Sequence, residues 1–246
     1  MTSFHLIRPL SGNALKLIAA ALMLCDHVGM MLFPELEILR VIGRLAFPIF
    51  AFMIAEGAAH TKNKARYLLT LSAMALLLIA VYYIYSQELL LSIFVTFSLS
   101  VLMIYPLTAF KNALFSKEAG LLIKLLLGFL TLLSILTVYA LNQQFTVEYG
   151  FFGCMTPVFA TLFRSPRENC PKWLRLLDRN AVHVLLAGAG LLLVAMTRPQ
   201  IQYYSLLALP LLLLYSGQRG KARMKYFFYI FYPAHLLLLE LISMLF

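Results

Sequence analysis

Long apolar segments, each about as long as a bilayer is thick, are the feature that most constrains how this chain folds. An α-helix needs about 20 predominantly apolar residues to cross the hydrocarbon core of a membrane. Segments of about 17–22 such residues predict nine spanning helices, at residues 14–33, 38–59, 67–85, 91–109, 119–141, 146–163, 181–197, 200–216 and 226–246. The expected fold is an all-α, polytopic integral membrane helical bundle, with residues 1–246 forming a single domain.

The composition excludes an ordinary soluble protein. Hydrophobic residues make up 62% of the 246 residues and charged residues only 12%, whereas soluble domains hold about 25% charged residues. The net charge of +10 is assigned to membrane topology and lipids, so no nucleic-acid partner is expected. The three cysteines, Cys25, Cys154 and Cys170, lack metal-type spacing, and neither a disulfide nor a bound metal is expected.

The distribution of basic residues predicts the orientation of the chain. Cytoplasmic loops of membrane proteins carry an excess of lysine and arginine. With nine helices, seventeen of the 20 basic residues fall on the side of the N-terminus, and only Arg40, Arg44 and Arg198 fall toward the other side. The N-terminus is therefore predicted to be cytoplasmic and the C-terminus external.

Titratable residues inside the first two predicted helices point to a functional site. Asp26 and His27 lie in the first helix and Arg44 in the second. A charged side chain at the bilayer centre costs roughly 2.5–3.5 kcal/mol on insertion scales, so such residues are rare and usually functional. At 1.5 Å rise per residue, His27 and Arg44 both lie about 9 Å from the outer helix ends. The alternative is a structural ion pair between Asp26 and Arg44, with His27 merely hydrogen-bonded.

His235 lies near the middle of the last predicted helix, deeper than His27. Histidine gains and loses a proton near neutral pH, so a buried histidine is a candidate for proton transfer. The alternative is a histidine that only bonds a nearby carbonyl, and both interpretations stay open.

A short basic connector, His60–Tyr67, follows the second predicted helix on the cytoplasmic side. Its residues Lys62, Lys64 and Arg66 suit the phosphates of a nucleotide-like donor such as coenzyme A, since both residue types bind phosphate oxygens. The alternative is a topogenic or lipid-headgroup patch, and the residue pattern alone favours that alternative.

Short motifs along nearly the whole chain resemble the TraX family, the conjugation-associated F-pilin acetylases. They are Ser11–Lys16, Asp26–Gly29, Ile42–Phe52, Glu56–Gly57, His60–Thr61, Tyr67–Leu68, Lys225–Tyr229 and Tyr232–Leu236. This family also resembles, distantly, the transmembrane acyltransferases, which carry a histidine in the first helix. His27 is the position that matches that histidine.

The resemblance implies a multi-pass acyltransferase of the bacterial cytoplasmic membrane. It implies acetyl-CoA as the acyl donor, with its phosphates near the basic connector and no metal. His27 would act as general base, and Asp26 would orient it or act on it electrostatically. Arg44 would stabilise developing negative charge on the thioester oxygen or bind an acceptor anion. His235 is the second candidate for the base. The acceptor would be a pilin-like N-terminus or an envelope glycan, presented from the outer side.

Two other functions remain open. Buried Asp, His and Arg residues also serve as proton relays in proton-coupled transporters, although no inverted repeat typical of such transporters is evident in the sequence. A non-catalytic pilus or conjugation assembly factor would bind partner helices and would not need His27 as a catalytic residue.

Overall fold

The computed structural model describes residues 9–165, 170–221 and 224–245, and most of these residues are helical. Two isolated bridges occur within these ranges, but no β-strand does. The prediction of an all-α chain is therefore confirmed. Phe246, the last residue of the ninth predicted helix, lies outside the described residues.

The helices of the described ranges follow one another with short connections. They are α1 (Gly12–Met31), α2 (Glu37–Gly43), α3 (Ala46–His60), α4 (Lys64–Ser86), α5 (Ile93–Phe115), α6 (Leu121–Gln144), α7 (Gly150–Thr161), α8 (Lys172–Leu177), α9 (Asn180–Thr197), a 3₁₀ helix (Gln200–Ala208), α10 (Leu209–Leu213) and α11 (Lys225–Ser243).

Six segments of the described chain are long and apolar enough to cross a membrane: α1, Glu37–His60, α4, α5, α6 and α9. Three shorter apolar helices, Gly150–Thr161, Gln200–Leu213 and Phe227–Ser243, occupy the other three predicted positions. The protein is thus a helical membrane protein, and its described residues include six segments of spanning length. The count of nine crossings and the cytoplasmic N-terminus stay predictions.

Two helix boundaries differ from the prediction for local reasons. The second predicted helix is interrupted at Arg44 and Leu45, between α2 and α3. α4 begins three residues earlier than predicted, because the Asn63 side chain accepts a hydrogen bond from Arg66 N at 2.8 Å and caps the helix. Lys64 and Arg66 therefore lie in the first turn of α4.

The described residues divide into two compact units. Unit 1 falls within Met1–Met53 and Ala195–Phe246, and unit 2 within Ile54–Val194. In unit 1, α1 packs against α2 and α11, and the 3₁₀ helix packs against α2. In unit 2, α5 is central and packs against α4, α6 and α7. Ser100 ties α5 to α7, because its hydroxyl donates to the Cys154 carbonyl at 2.8 Å.

Candidate functional site

Asp26 of α1 meets two arginines in unit 1. Its Oδ2 accepts a hydrogen bond from Arg40 Nη1 at 3.0 Å and pairs closely with Arg44 Nη2. Arg40 Nη1 also donates to the Asp26 backbone carbonyl at 3.2 Å, which belongs to the peptide that leads into His27. The ion pair between Asp26 and Arg44 that the sequence left open is present, and Arg40 joins it.

A glycine allows α1 and α2 to come this close. A Cβ at Gly43 would overlap the side chain and the Cα of Asp26. Any larger residue at position 43 would therefore push α2 away from α1. The close approach brings the guanidinium of Arg44, the residue that follows Gly43, onto the carboxylate.

The polar centre formed by Asp26, Arg40, Arg44 and Gln202 carries an excess of positive charge. Two guanidiniums face one carboxylate, and Arg44 Nη1 lies 3.5 Å from Gln202 Oε1 of the 3₁₀ helix. Within the described ranges, Asp26 Oδ1 and Gln202 Nε2 are buried without a hydrogen-bond partner. Buried polar atoms are nearly always satisfied in native proteins, so these two atoms keep open hydrogen-bonding capacity beside the guanidiniums.

His27 and His235 form a hydrogen-bonded pair. His27 Nδ1 lies 2.9 Å from His235 Nε2, and His235 Nδ1 lies 2.7 Å from the Phe231 carbonyl. The two residues are 208 positions apart in the chain. Their predicted depths differed, but the packing of α11 on α1 brings the two rings together, with centroids 4.9 Å apart.

The hydrogen bonds of this histidine pair fix the tautomers of the neutral rings. The Phe231 carbonyl can only accept, so His235 Nδ1 carries the hydrogen and His235 Nε2 is an acceptor. His27 Nδ1 must then donate to His235 Nε2. A neutral His27 therefore keeps its lone pair on Nε2, which is the atom that a general base needs.

The basic connector lies in unit 2 and is exposed at Lys62, Lys64 and Arg66. Lys64 Nζ lies 5.5 Å from the centre of the Tyr105 ring. Asn63 fixes the backbone between Lys62 and Lys64 through its cap of α4. The three cations therefore face solvent on an ordered helix start.

Unit 2 also contains a polar network that the sequence did not predict. Glu56 pairs closely with Arg164, and Lys111 Nζ donates to the carbonyls of Thr161 at 2.6 Å, Leu162 at 3.3 Å and Arg164 at 3.1 Å. These carbonyls lie at and beyond the C-terminal end of α7, where helix carbonyls need outside donors. His183 Nε2 lies 3.1 Å from Asp178 Oδ1.

The sequence named Asp26, His27, Arg44 and His235, and the structure joins them as two adjacent pairs in unit 1. Consecutive residues of a helix point about 100° apart, so Asp26 faces α2 while His27 faces α11. Arg40 was missed, although it lies four residues before Arg44 and hence on the same helix face. Gln202 carried no signal in the sequence.

Comparisons with known proteins agree with the motifs. Residues 11–243 match the family model described as "TraX protein". Over 40 residues the chain is 50% identical to "Uncharacterized protein RP591" of Rickettsia prowazekii (strain Madrid E), a stretch that covers 16% of this chain and 16% of that relative. No solved structure matches the chain significantly. Because the family model spans nearly the whole sequence, this protein belongs to the TraX family.

Proposed function

We propose that this TraX-family membrane protein is an acetyltransferase that uses cytoplasmic acetyl-CoA to acetylate an acceptor at the outer side of the membrane. The observation that carries the proposal is the histidine pair, which keeps the lone pair of neutral His27 on Nε2. In this arrangement His27 can accept a proton on Nε2 while its Nδ1–H stays hydrogen-bonded to His235.

His27 acts as the general base in the proposed reaction. As the acceptor oxygen or nitrogen attacks the thioester carbon, its proton passes to His27 Nε2. The new bond forms, the carbon–sulfur bond breaks and the CoA thiolate leaves. The proton on His27 then neutralises that thiolate, so the base is restored. General base catalysis of this kind contributes typically 10²–10⁴-fold to the rate.

His235 positions the base. It accepts the hydrogen on His27 Nδ1, which holds the ring in one tautomer and one orientation. When His27 gains a proton on Nε2, this hydrogen bond becomes charge-assisted and therefore stronger. His235 itself is anchored by the Phe231 carbonyl and by stacking on the Phe231 ring, with centroids 4.9 Å apart.

The polar centre supplies the positive charge that the reaction needs. The thioester oxygen gains negative charge as the acceptor attacks, and fixed cations stabilise such an oxygen. Arg44 is assigned this role, because two guanidiniums share the single carboxylate of Asp26. Arg40 holds the Asp26 carbonyl and so steadies the peptide before His27. In the same proposal, Asp26 orients His27 and the two guanidiniums that pair with its carboxylate.

The donor and the acceptor approach from opposite sides. The exposed cations Lys62, Lys64 and Arg66 suit coenzyme A phosphates. The acceptor is a pilin-like N-terminus or an envelope glycan. The buried atoms Asp26 Oδ1 and Gln202 Nε2 offer it one acceptor and one donor.

Replacement of His27 by glutamine tests the proposal. His27→Gln keeps similar bulk but cannot take up the acceptor proton, so acetyl transfer should fall by 10²-fold or more. The measurement is radiolabelled acetyl transfer per mole of folded protein in vesicles, beside equilibrium binding of acetyl-CoA. His183→Gln is the matched control, since His183 is a buried histidine of unit 2 that lies beside Asp178.

The outcomes separate the candidate functions. Near-normal turnover in folded His27→Gln protein would remove the base role and move it to His235. Proton flux through wild-type vesicles without acetyl transfer would indicate a proton-coupled transporter. A wild-type protein with neither activity would indicate an assembly factor.

A further inference from the structure

The start of α1 and the loop before α11 form a fixed basic end in unit 1. The Gln218 carbonyl accepts from Gly12 N at 2.7 Å, and the Arg219 carbonyl accepts from Asn13 N at 2.9 Å. Gly220 has a φ of +92°, and a Cβ there would crowd the Ser11 hydroxyl. These contacts hold Arg219 about one helical turn from Lys16.

Lys16 and Arg219, the basic end, have no acid near them in the sequence. Residues 1–25 and 199–239 contain neither aspartate nor glutamate. Lys16 Nζ lies 5.8 Å from the centre of the Phe228 ring, and the Arg219 carbonyl bonds the backbone of Asn13, three residues before Lys16. Like charges held close together repel each other, and an anion bound between them offsets that repulsion. The first backbone N–H groups of α1 are already bonded, so the two side chains carry this charge.

The basic end and His27 lie on the same face of α1. They are separated by 11 residues, which is about three turns and roughly 16 Å along the axis. α11 runs parallel to α1 along this face, since Lys16 meets Phe228 and His27 meets His235. An extended pantetheine arm is long enough to cover this distance.

We propose that Lys16 and Arg219 bind the pyrophosphate of the acyl donor, so that its pantetheine arm lies along α1 and brings the thioester to His27. This inference rests on the proposed acetyl transfer. Lysine and arginine are common ligands of phosphate oxygens. Coenzyme A also carries a separate 3′-phosphate on its ribose, which this assignment leaves outside the basic end.

Binding of the donor to the full-length protein in phosphatidylcholine vesicles tests this assignment. Lys16→Met keeps the aliphatic stem and removes the charge, and it should weaken acetyl-CoA binding about tenfold. Lys16→Met should weaken the binding of acetyl-dephospho-CoA, which lacks the 3′-phosphate, by the same factor. Lys16→Arg should bind within about twofold of wild type, because the cation is kept.

A neighbouring lysine provides the matched control. Lys221 is exposed in the same loop, so Lys221→Met removes an equal charge and should change the affinity less than twofold. Arg219→Gln is the second variant, because Arg219 contacts α1 through its backbone and its loss leaves the fold intact. Arg219→Gln should weaken the binding of both donors about as much as Lys16→Met does. If Lys16→Met does not fold, Arg219→Gln alone tests the assignment.

Four results would overturn the assignment. They are unchanged acetyl-CoA binding in both variants, an equal loss in Lys221→Met, and a loss that disappears with acetyl-dephospho-CoA. The fourth is a lipid site: phosphatidylglycerol would stabilise wild type but not Lys16→Met, while donor binding stays equal. If wild type binds acetyl-CoA and transfers acetyl normally, any of these results removes only this assignment. If wild type binds no acetyl-CoA, the proposed function fails with it.

Discussion

The polar centre of unit 1 and the polar network of unit 2 use the same residue types, but their charges are arranged differently. In unit 1, two guanidiniums share Oδ2 of Asp26, and its other oxygen is buried without a partner in the described chain. In unit 2, the carboxylate of Glu56 pairs with the single guanidinium of Arg164 and lies 3.7 Å from His60 Nδ1, and three carbonyls surround the ammonium of Lys111. Buried polar atoms without a hydrogen-bond partner occur in both regions, Arg164 Nε among them in unit 2, so the sharing of one carboxylate by two guanidiniums is what distinguishes the polar centre.

Loss of a carboxylate should have the largest effect in both units, but with different results for activity. Removing one partner of a buried ion pair costs about 3–5 kcal/mol. Asp26→Asn and Glu56→Gln should therefore each lower the free energy of unfolding by about this amount, measured by denaturation in detergent. Acetyl transfer per folded molecule should fall on the order of 10²-fold only in Asp26→Asn, because the catalytic geometry shifts. Equal activity losses in the two variants would erase the distinction.

The close approach at Gly43 gives the next largest effect. Gly43→Ala places a methyl group against Asp26, and such overpacking costs about 1–3 kcal/mol. Thermal unfolding of the purified protein measures it. Gly120→Ala is the control, because no atom lies within 4 Å of a Cβ at that position. A Gly43→Ala protein as stable as Gly120→Ala would mean that the helices do not approach each other this closely.

The buried histidines give the smallest effect and the sharpest contrast. His235 and His183 are each 5% exposed, but only His235 contacts His27. His235→Phe removes the acceptor for His27 Nδ1, so kcat should fall about tenfold while the KM for acetyl-CoA stays unchanged. His183→Phe should leave kcat per folded molecule at the wild-type value. Steady-state kinetics on both variants decide whether His235 positions the base.

Apolar length predicted where the helices lie, because a spanning helix needs a run of about 20 apolar residues whatever its neighbours are. It did not predict where they stop. The break at Arg44 and Leu45 lies within a continuous apolar run, and the early start of α4 depends on one cap, Asn63. The helices α7 and α10 are short for a membrane crossing, which the apolar runs around them concealed.

The sequence predicted which residues belong to the site, but it did not predict which of them contact each other. Asp26, His27, Arg44 and His235 stand out because titratable side chains are rare in apolar helices. Their partners depend on packing between helices that are distant in sequence, and spacing along one helix carries no information about that. Counting residues from the helix ends placed His27 and His235 at different depths in the membrane, whereas the tertiary fold places His27 Nδ1 2.9 Å from His235 Nε2.

The ion pairs of Asp26 and the pair of His27 and His235 can form at different times during synthesis. The arginines that neutralise Asp26 follow it by 14 and 18 residues, so α1 and α2 can enter the membrane as a hairpin whose carboxylate is already paired. His235 is translated 208 residues after His27. The nascent chain is therefore protected early from the cost of a lone carboxylate in lipid, while its histidine pair forms only when the last helix has been made.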